Sequence, residues 1–421
     1  MSPCQSKNSN MTDTSGDDET IVVPGVHVRS WTTSSVRLGG LSIALPGRVV
    51  VSYAPNTTST TTTTLVTVTS STRALLSLVH VDVDMTADDV NQMTLRLATS
   101  DVDAAGTLLV HVALGNPVHV FSTVAETLVQ TGALALPSSS ATPMYITSYS
   151  NAAVWIESAL PIAVPGLSIT VGGAGDVHLT APSIQVQRNL KLTIFAQGSV
   201  SIQAHTVMAN TIKSEVPGRG SVYVQGHVEA PHLINDVLGM GSVNYFPSGR
   251  CDDSKIDIVG SGNAYVGSVV CATTSVNTVG NGDAYVQVVD TLARTGFGSG
   301  SIKYFNVTPL HLPGNAGGQS FPFLRQPTVA RTDTNKHETV QLAPQPPWHE
   351  GSYVLVRLTT ATLRWPPMVL MDKLFADGMT YDRDLDEGAM GGIVGLAMVF
   401  ALGLVLVAYK RFRRGGYQLL Q

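Results

Sequence analysis

The chain has 421 residues, of which only 13% are Asp, Glu, Lys or Arg, and its formal net charge is -5. A weakly acidic chain whose body has no basic patch interleaved with aromatics gives no reason to expect nucleic acid as a partner. The length is ample for a large core.

In chain order, residues 1–24 read as a disordered start, of which residues 1–20 are polar. They hold no apolar signal-peptide core. Residues 25–165 read as a β-rich part of irregular or antiparallel strands, packed against the first turn of a repeat region at 166–306. Strands are expected at 48–53, 94–98 and 106–113. Thr57–Thr64 is a polar loop of O-glycosylation-like composition.

The repeat at 166–306 is marked by glycine. A glycine followed by a small polar residue, in six of seven cases the second of a Gly-x-Gly pair, recurs at Gly175, Gly198, Gly220, Gly241, Gly262, Gly282 and Gly300, at intervals of 23, 22, 21, 21, 20 and 18 residues. Each is followed by apolar residues two apart, such as Val200 and Ile202 or Val222 and Val224. That is the period of a strand buried on one face. A drifting period of about 20 residues marks a coil whose turns stack on one another. The expected class is all-β, a parallel β-helix or solenoid, with a β-sandwich as the alternative. The glycines are read as supplying tight or left-handed backbone at corners. The polar residue is read as bonding to neighbouring backbone and stacking with its equivalents. A nucleotide-binding loop is set aside because strands, not helices, follow each glycine motif. Calcium-binding nonapeptide turns are set aside because only Asp176 and Asp283 would supply carboxylates.

The runs 173–179 (Gly-Ala-Gly-Asp-Val-His-Leu), 260–266 (Gly-Ser-Gly-Asn-Ala-Tyr-Val) and 280–286 (Gly-Asn-Gly-Asp-Ala-Tyr-Val) resemble the repeats of the head GIN, auto-transporter adhesin-like family. The resemblance covers roughly 25–310. It implies an irregular β-rich first part and then right-handed β-helical turns. It brings no catalytic residues.

Several side chains are candidates within this frame. Tyr223, Tyr265 and Tyr285 share an outward phase, and an exposed ladder of rings would stack on sugars. A packing ladder, or cover by a flanking loop, is the alternative. Cys251 and Cys271 fall at similar offsets on adjacent turns, within disulfide reach. Two buried free thiols are the other reading. Sequons at Asn10, Asn56 and Asn306 are candidate N-glycosylation sites. The histidines are scattered, with His111, His119, His178 and His205 in β-like segments, and no cluster has zinc spacing. No cofactor is indicated. Asp252 and Asp253, flanked by Arg250 and Lys255, are the nearest thing to a catalytic group. Adjacent residues in a strand point to opposite faces, so a solvated corner is the better reading.

Residues 307–388 read as a proline-rich stalk and juxtamembrane segment, with one more strand in Tyr353–Leu363. Ala389–Tyr409 holds no charge and is long enough to cross a bilayer once as a helix. Lys410, Arg411, Arg413 and Arg414 follow it, which places the tail 410–421 in the cytoplasm and the solenoid outside or in a lumen. Gly391 and Gly395 form a helix-pairing face. Tyr417 and Leu420 fit a tyrosine-based sorting signal read by clathrin adaptors. The polar start conflicts with this topology. A leader lost with the first exon is favoured over unconventional export or a tail-anchored, cytosol-facing solenoid.

The expected function is a non-enzymatic, adhesin-like surface protein, disulfide-bonded and glycosylated, at the plasma membrane or in endosomes. Its partner would be an extracellular protein or a glycan. The alternatives are a carbohydrate-active enzyme on the same coil and a cytosolic scaffold. A concave groove with three or more carboxylates would favour the enzyme.

Overall fold

The computed structural model describes residues 11–13, 25–34, 36–55, 62–86, 90–98, 103–134, 142–313, 326–340, 342 and 344–356. Asn10, Asn56, the apolar segment 389–409, Gly391, Gly395, Tyr417 and Leu420 lie outside them. Among the described residues, no helix is long and apolar enough to cross a membrane.

The described chain is nearly all strand, wound into a solenoid. Short parallel strands stack along three sides. On the front, Glu126–Val129, Val154–Glu157 and Val177–Thr180 pair in parallel, and the ladder continues through strands at 200–203, 221–225, 242–246, 263–266 and 284–286 to Ser301–Phe305. The back ladder runs from Val120–Thr123 through Met144–Ser148, Leu167–Val171 and His232–Val237 to 291–298. A third, side ladder starts at Ile162–Val164 and passes through 184–186, 206–209, 227–229 and 249–251.

The alternating apolar residues all point inward. Val177, Leu179, Val200, Ile202, Val222, Val224, Val243, Tyr245, Ala264, Val266, Ala284 and Val286 are at most 1% exposed. One polar group sits among them. The Tyr245 phenol donates to Asn235 Oδ1 at 2.9 Å and meets Ser214 Oγ at 2.8 Å, so its burial costs little.

The glycine motif has a different cause from the one expected. None of the motif's second glycines lies in the left-handed region; that conformation belongs to the first glycine of the later turns, at Gly260, Gly280 and Gly298. The second glycines stack directly on one another. A β-carbon at Gly198, Gly220, Gly241, Gly262, Gly282 or Gly300 would overlap the carbonyl oxygen of the motif glycine one turn earlier. The requirement is therefore close approach between turns. The small polar residue after it caps the next turn. Ser199 N donates to Asp176 Oδ1 at 2.7 Å, Ser221 N to Ser199 Oγ, Ser242 N to Ser221 Oγ, Asp283 N to Asn263 Oδ1, and Ser301 N to Asp283 Oδ1. These side chains satisfy backbone donors left over where the ladder turns a corner.

Parallel winding begins far before residue 166. Gly40–Ala44 and Arg48–Tyr53 already lie in the back and front ladders, between rungs that come later in the chain. Gly47, at φ 117°, turns the corner between these two rungs, while the corners at 123–125 and 148–152 use hydroxyls where later turns use glycine. Thr123 Oγ1 accepts from Ala125 N, Ser148 Oγ from Ser150 N, and Ser150 Oγ from Ala152 N. Among the described residues, antiparallel pairing is confined to the N-terminal end and to one returning strand. His27–Ser34 pairs with Thr63–Ser70, which pairs with Ala104–Leu114, and Val79–Met85 pairs with Asn91–Leu97. Within the supposed disordered start, Met11–Asp13 forms a strand on His27–Ser34.

The proline-rich segment does not lead away as a stalk. Thr328–Thr332 adds a parallel rung to Ser301–Phe305 at the far end of the coil. Ser352–Val356 pairs antiparallel with 104–108 at the near end. Between them the chain returns along the front face as a strap.

Candidate functional site: a strapped front face and an open side groove

In register, the outward positions of the front ladder form one column: Trp155, His178, Ser201, Tyr223, Asn244, Tyr265, Tyr285 and Lys303. Outward residues of a solenoid normally meet water. Here Trp155, His178, Ser201, Asn244, Tyr265 and Tyr285 are all buried. The tyrosines therefore share a phase as expected, and Tyr265 and Tyr285 stack with centroids 5.3 Å apart. They are not an open platform for sugars, because the strap lies over them: Tyr265 keeps 2% and Tyr285 6% of its surface. Tyr223 is half-buried and is separated from the pair by Asn244.

The strap's contacts are polar and aromatic. Asn335 Nδ2 donates to Ser268 Oγ at 2.9 Å. Lys336 Nζ stands 5.6 and 5.7 Å from the Tyr265 and Tyr285 ring centres, within cation–π range. His337 stacks on Phe246 at 5.1 Å. Glu338 N donates to Asn244 Oδ1 at 2.8 Å, and its carboxylate accepts from Ser242 Oγ at 2.5 Å. Burial, then the facing Glu338 carboxylate, push the Tyr265 phenol up. Lys303 sits 4.7 Å over the other side of Tyr285; its hydrogen bond to Tyr285, with Asp283 adding, raises its pKa against the effect of burial. Nearer the N-terminal end, Trp348 packs edge-on against Trp155 at 5.2 Å, and Arg48 Nη1 donates to the carbonyls of Pro347 and Glu350.

His178 lies in the covered column beside Trp155, 5.9 Å between ring centres. Among the described residues, neither of its ring nitrogens has a hydrogen-bond partner. Burial lowers its pKa from the ordinary 6.5, with Asp176 opposing. Burial, then Arg37, lower that of His119 likewise. The folded state thus binds fewer protons than the unfolded state, and stability is lost as pH falls below about 6.5. Urea denaturation at pH 7 and pH 5 should show this loss, with a slope of up to about 1.4 kcal/mol per pH unit for each such group. His178→Phe should flatten the dependence; an unchanged slope would remove His178 as its source.

A second surface stays open. On the side face, a groove of about 630 Å³ runs across four turns. Gln185, Met208, Glu229 and Arg250 form one wall, with Asn210 and Asp252 at the corner opposite. It contains two carboxylates, and Glu229 is paired with Arg250 at 3.2 Å. Asp253 points elsewhere and bonds His232 at 2.6 Å, so the adjacent aspartates do not act together. The back face is a flat ladder of opposite charges. Lys191 and Lys213 both meet Glu215, at 3.1 and 2.7 Å, and Lys255 meets Asp257. The Glu215 carboxyl is held low by Lys213 and Lys191 against the opposing effect of burial.

Cys251 and Cys271 are directly opposite each other on adjacent turns, with Cα atoms 4.5 Å apart, and form a disulfide. Asn306 is exposed, at φ 65°. Among the described residues, no group of three or more His, Cys, Asp or Glu could hold a metal ion. The strap is the feature the repeat could not announce, because its residues follow no period. Its one sequence-level sign is the outward aromatic phase, which asks for a cover.

Residues 139–307 match the family described as "Putative auto-transporter adhesin, head GIN domain". No curated protein matches the chain. Among solved structures, the chain is similar to a putative adhesin from Parabacteroides distasonis (18% identity, TM-score 0.36), covering 73% of this chain and 97% of that one. It is also similar to a putative adhesin from Parabacteroides merdae (12% identity, TM-score 0.32), covering 73% of this chain and 96% of that one. A protein from Parabacteroides distasonis described as a putative lipid binding protein aligns at 11% identity and TM-score 0.34, over 74% of this chain and 96% of that one. Residues 139–307, which include the glycine-marked turns, are thus similar to the head GIN domain family.

Proposed function

We propose that this is a non-enzymatic, adhesin-type binding protein whose solenoid stands outside the cytosol on a single C-terminal membrane anchor, 389–409. The observation that carries the reading is the side groove. It is open and lined by neutral amides, Met208 and Asp252, and the other of its two carboxylates, Glu229, is tied up in an ion pair with Arg250 rather than free for acid–base work. Amides that both donate and accept suit an uncharged polar partner, a glycan or a protein surface. The disulfide supports an oxidising compartment. The apolar segment with basic residues behind it supports the anchor, and Tyr417 with Leu420 supports endocytic retrieval through the tail.

Topology is the part to test first. Full-length protein from eukaryotic cells should show a glycosidase-sensitive mobility shift that is reduced by Asn56→Gln or Asn306→Gln. Cys251 and Cys271 should resist alkylation unless a reductant is present. An unshifted band with both thiols free to react would place the solenoid in the cytosol and end the adhesin reading.

A further inference from the structure

We infer that the front face is a binding track for an extended, lysine-bearing peptide, and that residues 335–338 of the chain's own strap occupy it in cis. Four consecutive strap residues each meet a different partner on three neighbouring turns: Asn335 on Ser268, Lys336 on Tyr265 and Tyr285, His337 on Phe246, and Glu338 on Ser242 and Asn244. Lys336 and His337 remain exposed while Asn244, Tyr265 and Tyr285 beneath them are buried. No apolar strap residue in this stretch enters the core. The segment therefore sits on the surface as a ligand would, held by a cation over two rings and by hydrogen bonds rather than by core packing.

The track is built for main chain as well as side chains. Asn244 sits in the row of aromatic rings with its Oδ1 turned to accept a backbone N–H, here that of Glu338. Its Nδ2 is held by Ser242 Oγ at 3.0 Å, which fixes the amide's direction. On the track itself Tyr265 and Tyr285 take the cation of Lys336, with Asp283 and Lys303 beside Tyr285, and Ser242 Oγ donates to the carboxylate two residues on, so both ends of such a peptide find partners. Each contact is individually modest, and the strap holds because tethering gives it an effective concentration in the millimolar range. A free peptide gains access only when the strap's own anchors are weakened. The inference rests on the front face alone and is independent of which side of a membrane the solenoid occupies.

The test uses the full chain and a labelled peptide, Asp-Thr-Asn-Lys-His-Glu-Thr-Val, which is the sequence of residues 333–340. Lys336→Ala with Glu338→Ala should release the strap between its two paired ends, Thr328–Thr332 and Ser352–Val356. This double variant should bind the peptide at least about ten-fold more tightly than the unaltered chain, because the tethered competitor is gone. Adding Tyr265→Ala should return binding to the starting level. Ser268→Ala, a smaller change that removes only the Asn335 contact, should weaken it and covers the case in which Tyr265→Ala does not fold. A peptide with alanine at the Lys and Glu positions should not bind. Equal binding by the double variant and the unaltered chain, binding that survives both Tyr265→Ala and Ser268→Ala, or gain of binding to a neutral oligosaccharide in place of the peptide would each overturn the inference.

Discussion

Gly241→Val is expected to prevent the solenoid from folding to a soluble form. A β-carbon there would overlap the Gly220 carbonyl oxygen and press on Val216, both fixed parts of the turn before. Backbone cannot move aside as a flexible side chain can, and the same spacing is repeated above and below. The cost belongs with the largest single-residue effects, more than about 4 kcal/mol. Ser261→Ala, in the following glycine motif but with its own β-carbon already accommodated, should change stability by less than about 0.5 kcal/mol. Soluble yield and far-UV circular dichroism of the two variants decide the matter. A folded, soluble Gly241→Val would mean that the glycine column is not set by contact between turns.

Removing the disulfide should have the second largest effect, and a local one. The bridge closes a loop of 20 residues, for which the chain-entropy argument gives about 3 kcal/mol. In a solenoid each turn touches only its neighbours, so stability is close to a sum of local terms. Cys251→Ala with Cys271→Ala should therefore speed hydrogen exchange in the turns between about 242 and 280 and leave 154–194 near its original rate. Uniform loss of protection along the coil would show instead that the solenoid unfolds as a single unit.

Both effects trace to features that were legible in the residues. The glycine interval and the apolar pairs behind it were legible because stacking imposes the same local demand once per turn. Val200 and Ile202, or Val222 and Val224, follow the strand period wherever they lie in the chain. The cysteines were legible through the same arithmetic, since equal offsets on successive turns mean neighbours in space. The early turns were hidden because Thr123, Ser148 and Ser150 satisfy corner donors by hydroxyls, which leaves no glycine at those corners to continue the interval. The out-of-order rungs at Gly40–Ala44 and Arg48–Tyr53 were hidden for a stronger reason: a parallel ladder accepts any strand of matching pattern, and nothing in a strand names its neighbour.

The candidate sites divide in the same way. The outward phase of Tyr223, Tyr265 and Tyr285 follows from counting residues. Whether those rings meet solvent, a sugar or a peptide depends on chain more than 40 residues away, which carries no repeat and reads as a proline-rich linker. Likewise Gln185, Met208, Glu229 and Arg250 are four unrelated residues until successive turns set them side by side.

By itself the sequence determined a repeat of about 20 residues with corner glycines and an inward apolar stripe, which favours a β-solenoid over a β-sandwich, because these are demands each turn makes on its own residues. Only the tertiary structure decided where the coil begins, which face its strap covers and which groove it leaves open, because those depend on pairings between segments whose local patterns are interchangeable.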